Sequence, residues 1–361
     1  DMIELSTTVL DDMRQATGIV VNRGKSGITA SCAALEHSLR IKFNAGGFQQ
    51  TKPIKDLGVA QGTTPQAREI ARGRWADACA RYRRVGQLPL PKRKLGHLVA
   101  TLATSAATYG AAARVVSAAI HRTMRQWTKF ATWRGSQYAN YVLMLWTGQL
   151  PLRADPTLQV LLRTADFVAD LVQRVVPLEE VEYVWLTERT HDGPVAGLKA
   201  ALRQSQVHAT ARYWQATGMD ALAEPLLLPK LERDAWLTEA RRRADLRGLA
   251  HRSAGVLCDD AVDWLGAFKA CKAQDSSDRR AVLEAIQAGD VVVNQQAAKW
   301  NGGNNSCVCG EVETREHRFW GCAAGADHRQ RVLGDPQLRG WVSELPAVTR
   351  LHGLPTVRPD V

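Results

Sequence analysis

No stretch of this sequence approaches the roughly 18 uninterrupted apolar residues that a membrane span requires. Its best apolar run, Tyr141 to Trp146, has only the size of a core segment. Residues Asp1 to Val9 lack the basic start and apolar centre of a signal peptide. Internal repeats and low-complexity tracts are also missing, which sets aside repeat arrays. The seven cysteines are odd in number and scattered, except for three near the C-terminus. That distribution excludes a disulfide framework and points to a reducing, intracellular compartment and one metal site. The sequence opens without an initiator Met and so reads as a fragment or a processed piece.

What is present is globular in kind. The chain has 361 residues, 45% of them apolar and 23% charged, enough for two or three domains with their own cores. The formal net charge of +11 favours polyanionic partners, because a basic surface gains free energy by releasing counterions from phosphates. Ribosome-like and membrane-surface proteins share this balance, so charge defines only a class of partner.

Periodicity gives a mainly α chain with a small α+β piece at its start. Leu5, Val9, Leu10 and Met13 fit one helix face, closed at Thr17-Gly18. A β-branched run follows at Ile19 to Val21, then a turn, a strand at Ser26 to Ala30 and a helix from Cys32 to Lys42. Ile54 to Val59 reads as one more short strand. From Thr64 the pattern turns helical. Ile70, Trp75, Ala78, Cys79 and Tyr82 share a face, and Arg68, Arg72, Arg74, Arg81, Arg83 and Arg84 occupy the exposed side. The Leu88-Pro89-Leu90-Pro91 loop breaks the helix and a new one starts at Lys92. Further helices are expected over 115–133, 157–176, 199–216, 230–252 and 259–272. The expected divisions are 1–62, a helical region 63–140, a mostly helical linker region 141–295, a cysteine–histidine segment 296–335 and a tail 336–361, poorly ordered from Pro346.

The sharpest local signal is Cys307, Cys309, His317 and Cys322, spaced C-x-C-x7-H-x4-C. Three thiolates and one imidazole form a closed tetrahedral set of the kind structural zinc prefers. A tight Cys-x-Cys turn followed by Gly310 presents two sulfurs, and a short helix from about Thr314 turns His317 and Cys322 back toward them. Four ligands within sixteen residues favour zinc over reduced cysteines beside a surface histidine. His328 reads as a surface residue.

A second constellation runs Thr17-Gly18-Ile19-Val20-Val21-Asn22-Arg23-Gly24-Lys25-Ser26, followed by Ile54-Lys55-Asp56-Leu57-Gly58-Val59. Together these resemble the end of the palm of non-LTR (LINE-type) retrotransposon reverse transcriptases. Ala107-Thr108-Tyr109-Gly110 resembles the point where the helical thumb of these elements begins to pack. The segment Cys307, Cys309, Gly310, Glu313, Thr314, His317, Cys322 is similar to their C-terminal zinc knuckle. The resemblance spans residues 1 to about 130 and about 295 to 330.

This resemblance implies an RNA-directed DNA polymerase using two Mg²⁺ ions, acting in the cytoplasm and nucleus on template–primer and target DNA and RNA, with no membrane partner. The Mg²⁺-binding aspartates would precede this sequence. Asp1 stands too close to Asn22 to be the last of them, and Asp11-Asp12 reads as a solvated helix face. Lys25 corresponds to a family lysine near the incoming nucleotide's phosphates, and is equally explained as a surface lysine in a turn. Asn22 belongs to the same segment. Leu57 and Gly58 correspond to the primer-grip strand, where glycine permits close approach of backbone. The cations Arg74, Arg81, Arg83, Arg84, Lys92, Arg93 and Lys94 would grip template–primer phosphates, with Trp75 and Tyr82 interleaved. Arg241, Arg242 and Arg243, with Arg247, Arg252 and Trp236, form a weaker cluster. Lys299, Arg315, Arg318, Phe319 and Trp320 could supply phosphate and stacking contacts at the knuckle, or Phe319 and Trp320 could be its small core. The competing readings are a non-enzymatic, zinc-containing nucleic-acid-binding protein derived from a retroelement, and a basic helical scaffold with incidental binding.

Overall fold

The computed structural model describes residues 55–56, 59–60, 65–134, 139–187, 193–252 and 262–288, and then much of 290–354, including 302–334. Lys25, Asn22, Leu57, Gly58 and Lys299 lie outside the described residues, as do most of the expected first segment and the side chains of Arg68 and Arg72. Two compact units divide at Trp75 and Ala76.

In the first unit, strands β1 (Lys55–Asp56) and β2 (Val59–Ala60) pair antiparallel, with Lys55 opposite Ala60. The single strand expected over 54–59 is therefore a hairpin. Helix α1 runs Pro65–Gln87 and carries the chain into the second unit.

The second unit is helical apart from one small sheet. Helix α2 (Lys92–Leu98) starts after Pro91 and continues as a π-helical stretch, Val99–Thr104, and a last turn, Ser105–Ala107. Then come α3 (Ala118–Trp133), α4 (Tyr141–Trp146) and α5 (Pro156–Arg174). These begin where side chains accept from orphan backbone donors: Ser117 from Ile120 N, Asn140 from Val142 N, Asp155 from Thr157 N and Leu158 N. Pro156 at the first position of α5 removes one donor that would have lacked a partner. Helices α6 (Leu178–Thr187) and α7 (Pro194–Gln204) follow.

A helix was expected over 199–216, but α7 stops at Gln204 and the chain reverses through Gln206, at φ 56°. Strands β3 (Val207–Ala209), β4 (Tyr213–Ala216) and β5 (Leu222–Ala223) then form an antiparallel sheet in the order β3-β4-β5. Trp214 and Ala216 face the core while Tyr213 is exposed, the two-residue alternation of a half-buried strand. Helix α8 (Lys230–Arg252) matches its expected bounds, and α9 (Trp264–Lys272) and α10 (Ser277–Gln287) complete the body.

Three apolar clusters hold this unit. The first joins α5, α6, α7, the sheet and α8 around Leu161, Leu198, Leu202 and the fully buried Trp214. The second joins α4 to the end of α8 and to the start of α9 through Leu143, Met144, Leu145, Leu246, Leu249 and Ala267. The third packs α1 on α2 and α3 through Tyr82, Val85, Leu95, Val99 and Ala131, and reaches Ala154. Two clusters thus cross the division expected at 140/141, and residues 141–295 supply much of the packed core rather than a simple connection. Leu354 is fully buried in the second cluster, and Thr349 donates to its carbonyl at 2.7 Å.

Candidate metal centre and basic surface

The segment 305–322 builds its site from a hairpin and a helical turn. Ser306 pairs with Val312 across the hairpin, Cys307 N donates to Glu311 O at 2.7 Å, and Gly310 N donates to Cys307 O at 2.9 Å. Gly310 sits at φ 93°, a conformation that costs a side-chain-bearing residue and that lets the turn present both sulfurs on one side. Past the hairpin, the Thr314 hydroxyl accepts from His317 N at 3.0 Å and so starts the turn that becomes a π-helix, His317–Gly321. Cys322 N donates to His317 O at 2.6 Å, a five-residue closure that brings Cys322 back beside its histidine. The short helix expected near Thr314 is present, in this wider form.

The four ligand atoms lie within 4.8 Å of one another. Cys307 and Cys322 sulfurs are 3.4 Å apart, and the Cys309 sulfur is 3.2 Å from His317 Nε2. All three cysteines are free thiols. A tetrahedral zinc with Zn–S of about 2.3 Å and Zn–N of about 2.0 Å sets S···S near ~3.8 Å and S···N near ~3.5 Å. The observed separations need only small adjustments to meet those distances, so the residues fit zinc. Cys322 is buried and the other three are half-buried, the enclosure of a structural site. His328 is exposed and lies outside the group, as expected.

The shell around the group is ordered by charge. Glu313 is buried, accepts from Arg318 at 2.6 Å, and its backbone N donates to Asn305 O at 2.8 Å. One side chain therefore ties the hairpin to the helical turn that carries His317. Arg329 donates to the Cys322 carbonyl. Trp320 is half-buried, its indole N–H donating to Arg350 O at 3.1 Å, while Arg350 donates to Glu316 at 2.8 Å. Trp320 is thus held by the tail. No signal in the sequence marked Arg350 as a partner.

The basic residues divide into two kinds. Arg81, Arg83, Arg84, Arg93 and Lys94 are exposed on α1 and α2, and Arg74 is half-buried. Arg83 lies over the Trp127 ring, 5.2 Å from its centroid, in cation–π contact. Lys92 is half-buried with its ammonium 3.4 Å from the Trp133 centroid. Burial lowers the Lys92 pKa from the ordinary lysine range, against the opposing pull of Glu284 and Asp290. Tyr82 does not interleave with the exposed arginines. It is fully buried, with its hydroxyl 3.0 Å from that of Thr104.

The cluster at 241–247 is likewise not a free cationic surface. Arg241 is buried and bonded to Asp245 and to Gln204 O. Arg242 and Arg243 both pair with Glu239, and Arg247 donates to Gln206 and Thr217 O. Trp236 donates to Asp220 O. These side chains spend their hydrogen bonds within the protein. The helical periodicity that put them on one face carried no information about which partners faced them.

Among the described residues, no helix is long and apolar enough to cross a membrane. Comparison with known protein families, curated proteins and solved structures gives no match for this chain.

Proposed function

We propose that this chain is the C-terminal part of a non-LTR retrotransposon RNA-directed DNA polymerase, binding template–primer nucleic acid around a structural zinc knuckle. The observation that carries the reading is the convergence of Cys307, Cys309, His317 and Cys322, with Gly310, Glu313 and Thr314 of the same motif each performing a distinct task in shaping the group. The exposed cations Arg81, Arg83, Arg84, Arg93 and Lys94 support it, being of one sign and outside the apolar clusters. On this reading the Mg²⁺ ligands of the polymerase lie elsewhere in the parent protein, and this chain alone binds without extending a primer. Zinc would be held by the three thiolates and by Nε2 of His317, and supplies folding energy rather than chemistry. Lys25, with Asn22, Leu57 and Gly58, would lie toward the nucleotide and primer end.

The test is anisotropy of a labelled RNA–DNA hybrid titrated with the chain at several salt concentrations. The expected result is a linear fall of log affinity with log salt, with a slope reduced by roughly 0.9 for each phosphate-contacting cation removed. Arg81→Gln, Arg84→Gln and Lys94→Gln remove three exposed candidates. Binding that ignores salt, or equal binding to heparin, overturns the reading in favour of a scaffold.

A further inference from the structure

A cavity of about 250 Å³ opens where the start of α2, the end of α3, the turn after α4 and helices α9 and α10 meet. Four cationic side chains line it, Lys92, Arg93, Lys272 and Arg280, against one carboxylate, Glu284. Its remaining wall includes Phe268 and Trp133. Lys92 is engaged with the Trp133 ring and lies 4.0 Å from Glu284. Arg280 uses one terminal nitrogen on Gln274 O. Arg93 and Lys272 are exposed. Gln149 also lines the cavity. Gln149 donates through Nε2 to Glu284 O at 3.1 Å, while its Oε1 is buried with no hydrogen bond.

Each feature narrows the ligand. Clustered cations with one carboxylate attract an anion, and guanidinium groups match phosphate oxygens in geometry. Aromatic walls favour a planar ring. The cavity lies just below the ~300–1,000 Å³ of ordinary small-molecule sites, room for one nucleotide unit and not for a duplex. Cys271, also in the lining, is excluded as a nucleophile: burial pushes its thiol up to about 11, and its Sγ is 3.0 Å from Gln287 Oε1.

We infer that this cavity is a nucleotide site, taking a phosphate on Arg93, Lys272 and Arg280 with the base against Phe268. It deepens the nucleic-acid-binding reading above and rests on it for the source of the ligand, which is either a single-stranded end of bound nucleic acid or a free nucleotide. Lys272 and Arg280 come from α9 and α10, far in sequence from α2, so the site extends the basic surface at Lys92 and Arg93 with cations from a distant stretch.

The experiment uses the full chain with Lys272→Gln and Arg280→Gln, the first of these being a surface change that leaves the core intact. Two probes are titrated: a labelled single-stranded 12-mer across a salt series, and adenosine monophosphate followed by calorimetry. The expected result for a strand end is a salt slope lower by about one for each of the two cation variants. For a free nucleotide, it is calorimetric binding that weakens at least fivefold in each variant. Strand binding with unchanged slopes and no monophosphate binding overturns the site while the nucleic-acid reading stands. Failure of the wild-type chain to bind the strand, with monophosphate binding intact, overturns that reading and keeps the site. Equal competition by a polyglutamate peptide shows a carboxylate site and also overturns the proposal.

Discussion

The guanidinium of Arg125 meets the carboxylate of Asp155 through two parallel hydrogen bonds, 2.9 and 2.7 Å long. The same guanidinium donates two more, both 2.8 Å, to Asp245, which also pairs with Arg241. Tyr141 donates to Asp155 and Trp146 to Asp245. The network therefore fastens α3 to the N-terminus of α5, to α4 and to α8, at the seam between the apolar clusters.

Removing one member strands the others. Burial alone opposes ionisation of Asp245, but Arg125 and Arg241 outweigh it and hold its carboxyl well below the usual carboxylate range. Asp245→Ala is expected to cost about 3–5 kcal/mol, because a charge buried with fewer partners remains. Urea unfolding at pH 7 measures it. The sign for pH follows from the depressed folded-state value. The contribution of Asp245 is fully present above about pH 4, the unfolded value, and is lost as pH falls further.

His121 gives a separate acid signature at higher pH. Burial pushes its pKa down to about 4, against smaller upward pulls from Gln204 and Asp155. The unfolded chain binds this proton near pH 6.5, so stability is full above that value and declines as pH falls toward 4, by about 3 kcal/mol in all. His121→Gln is expected to flatten the decline between pH 6.5 and 4.5. An unchanged slope in that variant would remove His121 as its source.

At the metal centre, elemental analysis is expected to find about one zinc per chain, lost in Cys309→Ser and in His317→Ala. Glu313→Gln touches no ligand but weakens the clamp on Arg318. It is expected to lower zinc affinity by no more than about 10-fold, the low end for residues that bond the ligands themselves. Competition against a chromophoric chelator reads this directly, and full-strength binding in the variant would reduce Glu313 to a packing role.

Gly197 in α7 lies against the chain that leads into α3. A Cβ there would stand 2.8 Å from the Arg114 carbonyl oxygen, a backbone atom with little freedom to move. Gly197→Ala is expected to destabilise by about 1–3 kcal/mol, through displacement of α7 from that strand of backbone. A thermal midpoint equal to the parent's would show that the helix shifts without cost.

The metal group was legible in advance because its information is local. Four ligands, the glycine that allows the turn and the threonine that starts the helix all fall within one short segment, and their order alone restricts where each can point. Helix α8 was legible for a similar reason, an uninterrupted run without proline, ended by no internal conflict. The hairpin at 207–216 was hidden by a helix-compatible composition. Its strands form because Trp214 fills the first cluster, and burial of so large a side chain overrides weak local preference.

The sequence by itself determined the mainly helical class, the cationic balance and the four residues that could hold a metal, since each depends on residue identity and short spacing. Only the tertiary structure decided which charges remain outward. It turned Tyr82 inward, spent Arg241, Arg242 and Arg243 on acidic partners, and set Arg125 between Asp155 and Asp245, which lie 30 and 120 residues away. It also brought Lys92, Lys272 and Arg280 to one cavity. Periodicity assigns a side chain to a face of its own helix; what that face meets depends on how distant helices pack.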